Sequence, residues 1–511
     1  MTHGAPNAGR VASVSPTSIP RAGLMDRTAP ALVIIAIVAG QIWLTHGWVL
    51  FSRPLWLDEI HTLLVAGAPD TATSVRNLAA GADFNPPALY LVYRVVALLS
   101  GTLSEVPMRL LAAASVAAAL IGIYYLLRDD LGRMAAAAGA LTVWAHPTVI
   151  SAAFDARFYG PWLAGVAALL LVIRRRVASQ PSRPSALLLA LTSAFVCTIH
   201  YFGVVSWIAA MATAVACVPG LRMTVARRLL PAAAGPVALA MCIPLYLSQR
   251  SALTRPTWIP RASLAEHAFL LANTLLPLAL VVALLAWGAS VALKKVGRTG
   301  EADQQRLGLG ATFLLGQAAV PLGLAVFSMI VQPATQPRYW IAGCLAVAAA
   351  SAFATARSTP ALRAVIVAVL VVLSTTEVSA ERDSARRWQE RVRTDSSYAA
   401  RAAVEKRLIV ARRRHTLYPM LRADQAASSV AVLFDGKSLG PDSQLVAVDR
   451  EVARIHRRIY GFPRLVDDIA LGSLPLFYFV EYDSARAPIA AEFPRHTIER
   501  IDQRLFRLAP R

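Results

Sequence analysis

Long apolar runs, separated by short polar stretches, fill most of the chain up to residue 380. A bilayer core about 30 Å thick needs roughly 20 apolar residues in a helix, so runs of this length predict membrane-spanning helices. The runs lie at Ala29–Phe51, Pro107–Leu127, Met134–Phe154, Phe158–Ile173, Ser185–His200, Gly203–Pro219, Leu229–Leu247, His267–Leu293, Leu307–Val331, Tyr339–Thr355 and Ala361–Ala380. The pattern predicts a polytopic α-helical membrane protein with about eleven transmembrane helices.

A twelfth apolar run, Pro86–Gly101, is shorter, contains Arg94 and opens with a Pro-Pro pair. If it does not span and the first helix runs outward, the basic clusters, among them Arg174–Arg176, fall in inner loops. If it spans, every later loop inverts and these clusters lie outside, against the positive-inside rule. We therefore predict that Pro86–Gly101 is an interfacial or re-entrant helix in a long first outer loop at residues 52–106.

The two ends of the chain differ from this apolar centre, residues 29–380. Residues 1–28 are rich in Pro, Ser and Ala, which predicts a disordered cytoplasmic tail. Residues 381–511 carry many charges of both signs, which predicts a small extracytoplasmic α/β domain. Within that domain the pattern indicates a helical stretch followed by two strands. These elements are Ser384–Ala427, Val430–Phe434 and Leu476–Tyr482.

The composition also indicates a membrane protein. Of the 511 residues, 56% are hydrophobic and 16% charged, and the mean hydropathy is +0.51, which excludes an ordinary soluble enzyme and a disordered chain. The net charge of +21 would suit a protein that binds nucleic acid or an anionic membrane surface, or one whose inner loops are basic. In so apolar a chain we assign it to the inner loops and predict no nucleic-acid partner. The cysteines lie in apolar runs without CxxC spacing, so we interpret them as buried hydrophobic residues: Cys197, Cys217, Cys242 and Cys344.

Ionisable residues are almost absent from the predicted spans, which counts against an ion-coupled transporter. The polar residues gather instead in clusters that the topology places at the outer face. The clusters are Arg53–His61, Asp83–Tyr90, Phe154–Tyr159, His200–Gly203 and Gln336–Trp340. Acids, arginines and a histidine beside a bilayer suit chemistry on a lipid-linked phosphate. The sequence contains no Walker A, Rossmann glycine, HExxH or G-x-S-x-G motif, so nucleotide- and zinc-based alternatives lack support.

Each cluster also has a structural interpretation. Asp58 and Glu59 suit a base with a raised pKa acting on an acceptor hydroxyl, or an acid pair stabilised by a helix N-terminus. Asp155 and Arg157 are either site residues or a structural ion pair. Arg338 suits bidentate contact with a phosphate, or an anchor at the membrane interface. The cluster Asp83–Tyr90 also fits a turn with a helix cap, and His200 also fits a structural histidine.

Together these motifs resemble those of the GT-C membrane glycosyltransferases. They are W-L-D-E at Trp56–Glu59, D-x-(H/N)-P-P-x-x-Y at Asp83–Tyr90, G-x-x-S-E-x-x-x-R-L at Gly101–Leu110, (D/E)-x-R-x-Y at Asp155–Tyr159, His200-Tyr201 and Arg338-Tyr339. Within that superfamily the chain is similar to the protein O-mannosyltransferase-like group, which includes the lipid A aminoarabinose transferases. The motifs follow the order of that group over about Arg53–Ala356. The resemblance does not extend to the segment Glu381–Arg511.

The resemblance implies a multi-pass glycosyltransferase of the plasma (inner) membrane, with residues 29–380 as its catalytic domain. It implies inverting transfer at the outer face, from a sugar on a polyprenyl phosphate to a glycan, lipid or protein. The implied catalytic residues are Asp58, as base or acceptor orienter, Glu59 and Asp155. The implied donor-phosphate residues are Arg157, Tyr159, His200, Arg338 and Tyr339. The implied substrate loop holds His61, Asp83, Asn85 and Tyr90. No cofactor or metal site is implied, and a divalent metal stays open.

This sequence departs from the commoner pattern of the group at two positions. Asp155 stands where many relatives have Glu, and Asn85 stands where many have His, so Asn85 cannot act as an acid or base. Two other functions remain open from sequence alone. One is a lipid-linked glycan transporter or flippase, which would need a polar route through the spans. The other is a ligase or polymerase that uses a lipid-diphosphate donor.

Overall fold

The protein was analysed as a computed structural model that describes residues 24–178, 182–216, 227–252, 259, 262–272, 308–331, 333–334, 336–411, 430–435, 452, 454–460, 464–467, 476–480, 493 and 495–511. The α-helices, labelled α1 to α17 in chain order, are Leu24–Leu44, Val49–Ser52, Leu57–Ala66, Thr71–Ala79, Ala88–Ser100, Glu105–Leu131, Arg133–Trp144, Pro147–Ala153, Tyr159–Ala178, Arg183–Ile199, Gly203–Ala216, Ala234–Met241, Ile243–Ser251, Leu309–Gly316, Ala319–Ile330, Cys344–Ala356 and Pro360–Val404. Helices of the 3-10 type lie at Leu230–Ala233 and Pro337–Gly343, and further helical residues at 227–229, 264–272 and 454–460.

Five helical segments in the described part of the chain are long and apolar enough to cross a bilayer. They are Glu105–Leu131, Arg227–Ser251, Leu309–Ile330, Pro337–Ala356 and Pro360–Val404. Shorter apolar helices lie at Ala31–Leu44, Ala88–Ser100, Arg183–Ile199 and Gly203–Ala216. Most of the predicted span His267–Leu293 falls outside the described residues, as do Cys217 and the predicted tail up to residue 23.

Several predicted spans are divided between two helices, and two of them show how the local sequence stops a helix. The run Met134–Phe154 divides into α7 and α8, because Pro147 cannot donate a helical hydrogen bond. His146 caps the new helix, and its ring accepts a hydrogen bond from the amide of Thr148. The run Ala29–Phe51 divides into α1 and α2 at His46, which has a left-handed backbone with φ 54°. The prediction of a single uninterrupted helix is wrong in both places.

The centre of the helical part is α6 (Glu105–Leu131), which packs against α7, α9 and α16. Small residues permit these close approaches, as they do between transmembrane helices generally. At Gly139 in α7 an added Cβ would lie 2.8 Å from the carbonyl oxygen of Ala348 in α16. Any larger residue at position 139 would therefore force the two helices apart.

The predicted interfacial helix is α5 (Ala88–Ser100), whose 13 residues extend about 20 Å and so fall short of a 30 Å hydrocarbon core. One side buries Leu89, Tyr90 and Tyr93 against the protein. The other exposes Leu98 and Leu99, each 84% accessible. This two-sided character supports the predicted position at the membrane interface.

The longest helix, α17, runs for 45 residues from Pro360 to Val404 without a break. The domain boundary predicted at residue 380 therefore falls inside a continuous helix. The predicted helical stretch Ser384–Ala427 is wrong at Leu408–Ala411, which forms a strand, and its part at residues 412–427 lies outside the described residues. The strand contains adjacent Ile and Val, which favour strands.

The described residues after α17 form one six-stranded mixed sheet. Its strands, β1 to β6, are Leu408–Ala411, Val430–Asp435, Arg464–Asp467, Phe477–Val480, His496–Arg500 and Leu505–Pro510, in the spatial order β3-β2-β1-β4-β6-β5. The pairs β1–β2, β1–β4 and β2–β3 are parallel, whereas β4–β6 and β5–β6 are antiparallel. Strands β2 and β4 lie where the sequence predicted strands. The sheet is fastened to α17 by the Asp395–Arg504 ion pair and by a 2.7 Å hydrogen bond from the Tyr398 hydroxyl to Asp502.

Candidate active site

All five polar clusters meet at one cavity of about 1340 Å³. Its walls come from the segment at residues 53–85, the residues between α8 and α9, the turn after α10, the 3-10 helix Pro337–Gly343, and parts of α13, α15 and α17. Most of the predicted site residues line it: Asp58, His61, Asp83, Asn85, Asp155, Arg157, Tyr159, His200, Arg338 and Tyr339. Glu59 and Tyr90 do not. Residues far apart in sequence therefore share one chamber, as the topology prediction required.

Asp58 stands at the start of α3 and faces the cavity with a side chain that is 26% exposed. The extended backbone of Trp56 (φ −89°, ψ 172°) precedes the helix, so the carboxylate lies in the first turn, where the helix dipole favours negative charge. Its Oδ2 lies 3.4 Å from Nη1 of Arg338. Asp58 is therefore partly solvated and close to one cation.

Glu59, the next residue, points away from the cavity and is fully buried. Its carboxylate pairs with Arg109 over 2.6 Å and also accepts the backbone amides of Trp56 at 3.0 Å and Ala156 at 2.8 Å. Arg109 donates further to the carbonyls of Phe51 and Pro54, both at 3.3 Å. This ion pair ties the start of α3 to α6 and to the residue before Arg157. Arg109 is the arginine of the Gly101–Leu110 motif, to which sequence gave no role.

Asp155 lies at the cavity wall and accepts a 3.2 Å hydrogen bond from the indole of Trp56. Burial, followed by repulsion from Glu59, raises the pKa of its carboxyl to about 7, although nearby arginines oppose the rise. In the described part of the chain no cation lies within ion-pair distance of this carboxylate. Asp58 and Asp155 therefore differ: Asp58 is beside a cation, and Asp155 is in a drier environment that favours its neutral form.

Arg157 pairs with Asp83 rather than with Asp155. Its Nη1 lies 2.6 Å from Oδ2 of Asp83 and also donates to the carbonyl of Asp58 at 2.8 Å and to the hydroxyl of Thr62. Its Nε is buried without a partner among the described residues. Arg157 thus holds the substrate loop against α3, and most of its hydrogen-bonding capacity is already used.

Arg338 is held by aromatic rings in addition to the Asp58 carboxylate. Its guanidinium carbon lies 5.3 Å from the ring centre of Trp56, 5.9 Å from Tyr159 and 5.8 Å from Tyr339. Such cation–π contacts fix the planar group while leaving its N–H donors available. The side chain is 24% exposed, and within the described residues its Nε has no hydrogen-bond partner. Of the cavity arginines described, Arg338 is the one best prepared to bind an anion.

His200 completes this aromatic wall. Its ring stacks on Phe158 with centroids 3.9 Å apart and lies 5.4 Å from the ring of Tyr339. Its Nδ1 accepts a 3.2 Å hydrogen bond from the backbone amide of Phe202, so the neutral ring carries its proton on Nε2. The histidine at the end of α10 is therefore a neutral donor beside two arginines.

The loop at Asp83–Tyr90 is held by hydrogen bonds from several elements. Asn85 donates a 3.3 Å hydrogen bond to Asp83, and Tyr90 is buried beneath the loop, outside the cavity. Gln249 of α13, which sequence reasoning missed, donates to the carbonyls of Asp83 at 3.2 Å and Asn85 at 3.1 Å and accepts from the hydroxyl of Tyr201. A lone glutamine near a helix end gave no signal in the sequence.

Arg53 is a second residue that sequence reasoning did not select, although it begins the first cluster. It lines the cavity, pairs with Glu381 of α17 over 3.0 Å and donates to the carbonyl of Phe154 at 3.1 Å. This ion pair joins the first outer loop to the helix that leads to the sheet. Helix α17 is thereby part of the cavity wall.

The cavity lining combines apolar and charged side chains. Apolar side chains come from α11, α12, α13, the end of α15 and the turn before α11: Phe202, Val204, Val205, Leu239, Ile243, Phe327 and Val331. The same cavity carries acids, arginines and histidines. An amphiphile with an apolar chain and an anionic head matches this combination. In the described residues, no group of three or more His, Cys, Asp or Glu side chains is arranged to hold a metal ion.

Comparison with known proteins gives a likeness of fold. No protein-family model and no curated protein matches the sequence. Among solved structures, apo ArnT from Cupriavidus metallidurans matches at a TM-score of 0.59 and 15% identity, over 94% of this chain and 98% of ArnT. ArnT from the same organism bound to undecaprenyl phosphate matches at a TM-score of 0.57 and 14% identity, over the same shares, 94% and 98%. The chain therefore has the fold of ArnT, and the GT-C resemblance that its motifs predicted is confirmed at the level of the fold.

Proposed function

We propose that this protein is a membrane glycosyltransferase that moves a sugar from a polyprenyl-phosphate donor to an acceptor hydroxyl. The observation that carries the proposal is one cavity lined by apolar side chains together with Arg338, Asp58 and Asp155. The structure of ArnT with undecaprenyl phosphate supports a donor of this class, because ArnT shares the fold. The sugar and the acceptor, which is a glycan, lipid or protein, are not specified by these features.

In this proposal the donor enters with its prenyl chain along the apolar side chains of α11, α12, α13 and α15. Arg338 binds the phosphate, because its aromatic cage leaves donors free and its exposed edge reaches the cavity. The unpartnered Nε of Arg157 and the Nε2 proton of His200 contribute further donors. Tyr159 and Tyr339 act as walls that fix the orientation of Arg338.

The proposed reaction is an inverting displacement at the anomeric carbon. Asp58 accepts the proton of the acceptor hydroxyl as its oxygen attacks the anomeric carbon from the face opposite the phosphate. The bond from that carbon to the phosphate oxygen breaks, and the lipid phosphate leaves with the electron pair and gains one negative charge. Arg338 offsets this charge, which is greatest in the transition state and the product.

Asp155 has a different proposed role, as a neutral hydrogen-bond donor to the leaving phosphate. Burial already favours its protonated form near neutral pH, because its pKa is raised to about 7. A bound phosphate adds a negative charge to that of Glu59, which favours the neutral form of Asp155 further. Glu59 is proposed as a positioning residue, since Arg109 and backbone amides occupy its carboxylate.

The proposed orientation places the cavity and the sheet outside the plasma (inner) membrane and the N-terminus in the cytoplasm. The proposed domains are a tail at residues 1–28, a transmembrane catalytic domain at residues 29–380 with about eleven spans, and an extracytoplasmic domain at residues 381–511. The inner-loop arginines support this arrangement. For example, Arg174 pairs with Asp130 over 2.9 Å at the end of the bundle opposite to the cavity cluster.

The donor class is tested by identifying the lipid that copurifies with the full chain. Mass spectrometry of the detergent-purified wild type and of Arg338→Ala is expected to find a polyprenyl phosphate, or its glycosylated form, with the wild type and little with the variant. The matched control is Arg128→Ala, which removes an arginine far from the cavity. A polyprenyl diphosphate in place of the monophosphate would overturn the donor assignment and favour the ligase or polymerase alternative.

A further inference from the structure

One wall of the cavity comes from a part of the chain to which sequence gave no function. A short helix, which includes residues 452 and 454–460, lies between strands β2 and β3 in sequence. Its Val452 is 4% exposed and lines the same cavity as Asp58. The segment after α17 is thus in direct contact with the space where the substrates would bind.

This short helix is firmly docked on the substrate loop. Val452 and Ile455 form a small hydrophobic cluster with Phe84 and Ala252. At Gly81 the backbone has φ +86°, and an added Cβ would lie 3.2 Å from Cδ1 of Ile455. Both the left-handed backbone and the close approach explain a glycine there. The helix therefore rests on the loop that carries Asp83 and Asn85.

A buried histidine reinforces the contact. His456 is fully buried, with Nε2 3.1 Å from the carbonyl oxygen of Ala82. Its ring meets the ring of His61 edge to face, with centroids 4.8 Å apart. His61 itself lines the cavity. Movement of the helix would disturb the loop and His61 together, so the helix is an integral wall and not a mobile cover.

The chemistry of this wall suits a carbohydrate. Phe84 and Val452 offer apolar surface, while Asn85, His61 and Arg250 offer polar groups within the same cavity. A sugar ring has the same mixture of apolar C–H faces and hydroxyl edges, and binding pockets combine apolar walls with a few placed polar groups. The prenyl chain has its own apolar lining elsewhere in the cavity, and the phosphate has Arg338.

We propose that the helix at residues 452–460 forms one wall of a sugar-binding subsite and that Val452 limits the size of the sugar it accepts. This inference rests on the proposed function, because it needs a sugar-bearing substrate in the cavity. The sugar is either that of the donor or a terminal residue of an acceptor glycan. Both sources present the same chemistry to Phe84 and Val452.

The test compares bare and glycosylated lipids with the full chain in nanodiscs. The probes are undecaprenyl phosphate and undecaprenyl phosphate carrying a hexose, a pentose or an aminopentose, and the variant is Val452→Trp. If the donor sugar occupies the subsite, the variant binds the best glycosylated lipid at least about tenfold more weakly and binds bare undecaprenyl phosphate like the wild type. If an acceptor glycan occupies it, both lipids bind normally, but transfer in native membranes falls and recovers with added acceptor extract.

Two further variants keep the test decisive. Arg458→Trp places the same bulk on an exposed position of the same helix and is expected to behave like the wild type. Val452→Ala covers the case in which the larger residue prevents folding, and it should widen the range of sugars that bind. Wild-type behaviour of both Val452 variants in binding and transfer would overturn the proposal, as would equal weakening of bare and glycosylated lipids. A wild-type protein that binds undecaprenyl phosphate but transfers no sugar would instead contradict the proposed function.

Discussion

At the scale of single residues, the account depends on what adjacent side chains contact. Asp58 and Glu59 are neighbours in sequence, yet one faces the cavity and the other is buried against Arg109. Successive helix residues point about 100° apart, so sequence predicts that the two differ but not which one faces the substrate. The Arg157–Asp83 pair could not be predicted from the sequence either, because the two residues are 74 positions apart and Asp155 is a nearer candidate partner.

Arg338 has two possible anionic partners in the proposed mechanism, Asp58 and the donor phosphate. Because Asp58 already lies 3.4 Å from Arg338, the phosphate must compete with a carboxylate. We predict that Asp58→Asn binds undecaprenyl phosphate more tightly than the wild type, by about tenfold or 1.4 kcal/mol. Scintillation proximity binding on detergent-purified protein measures this, with Asp129→Asn as the control. Weaker binding by the Asp58 variant would show that Asp58 supports the phosphate instead of competing for Arg338.

Asp155 gives a prediction on pH. Its pKa is raised to about 7 by burial, so the free enzyme carries a neutral Asp155 below that pH and an anion above it. If the neutral form donates to the leaving phosphate, kcat/KM falls as pH rises through about 7. Asp155→Asn keeps a donor and is expected to retain part of the activity without that fall. A rate that instead rises through pH 7 and is abolished in Asp155→Asn would assign the ionised form to catalysis.

At the scale of elements, hydropathy identified the apolar helices but not their interruptions or their partners. The breaks at His46 and Pro147 divide two predicted spans, and Pro147 itself lines the cavity. The first half of the long helix α17 is apolar and its second half is charged. The composition therefore suggested a domain boundary within α17, although its backbone is continuous. The strand Leu408–Ala411 was missed because four residues are too few to reveal a period.

The Glu59–Arg109 pair is predicted to hold α3 against α6. Glu59→Ala leaves a fully buried guanidinium without its carboxylate, which typically costs about 3–5 kcal/mol, so the midpoint of thermal unfolding in detergent should fall by several degrees. The matched control is Glu381→Ala, which removes the carboxylate from the partly exposed Arg53 pair and should shift the midpoint much less. Equal shifts in the two variants would contradict a structural role specific to Glu59.

At the scale of the whole molecule, the sequence predicted a one-sided arrangement of polar clusters, and the structure brings all of them to one cavity. The sequence did not predict that the segment after α17 reaches this cavity. That contact depends on Val452, Ile455 and His456, which belong to no motif in the sequence. Long-range packing of this kind leaves no local pattern.

The orientation of the whole molecule has its own test. Single cysteines introduced at Thr497 in β5 and at Asp129 at the end of α6, in a chain whose own cysteines are replaced, should lie on opposite sides of the membrane. A membrane-impermeant maleimide added to intact spheroplasts is expected to label Thr497→Cys and to label Asp129→Cys only after lysis. The reverse pattern would invert the proposed topology and place the cavity in the cytoplasm.

The central claim is that this cavity transfers sugar from a polyprenyl phosphate. The most direct measurement is turnover by the full chain in proteoliposomes, with radiolabelled undecaprenyl-phosphate sugars and an extract of envelope acceptors. We predict labelled acceptor and released undecaprenyl phosphate with the wild type and with Asp129→Asn, and neither product with Asp58→Asn. Movement of the labelled lipid across the bilayer without its consumption, or full turnover by Asp58→Asn, would contradict the account.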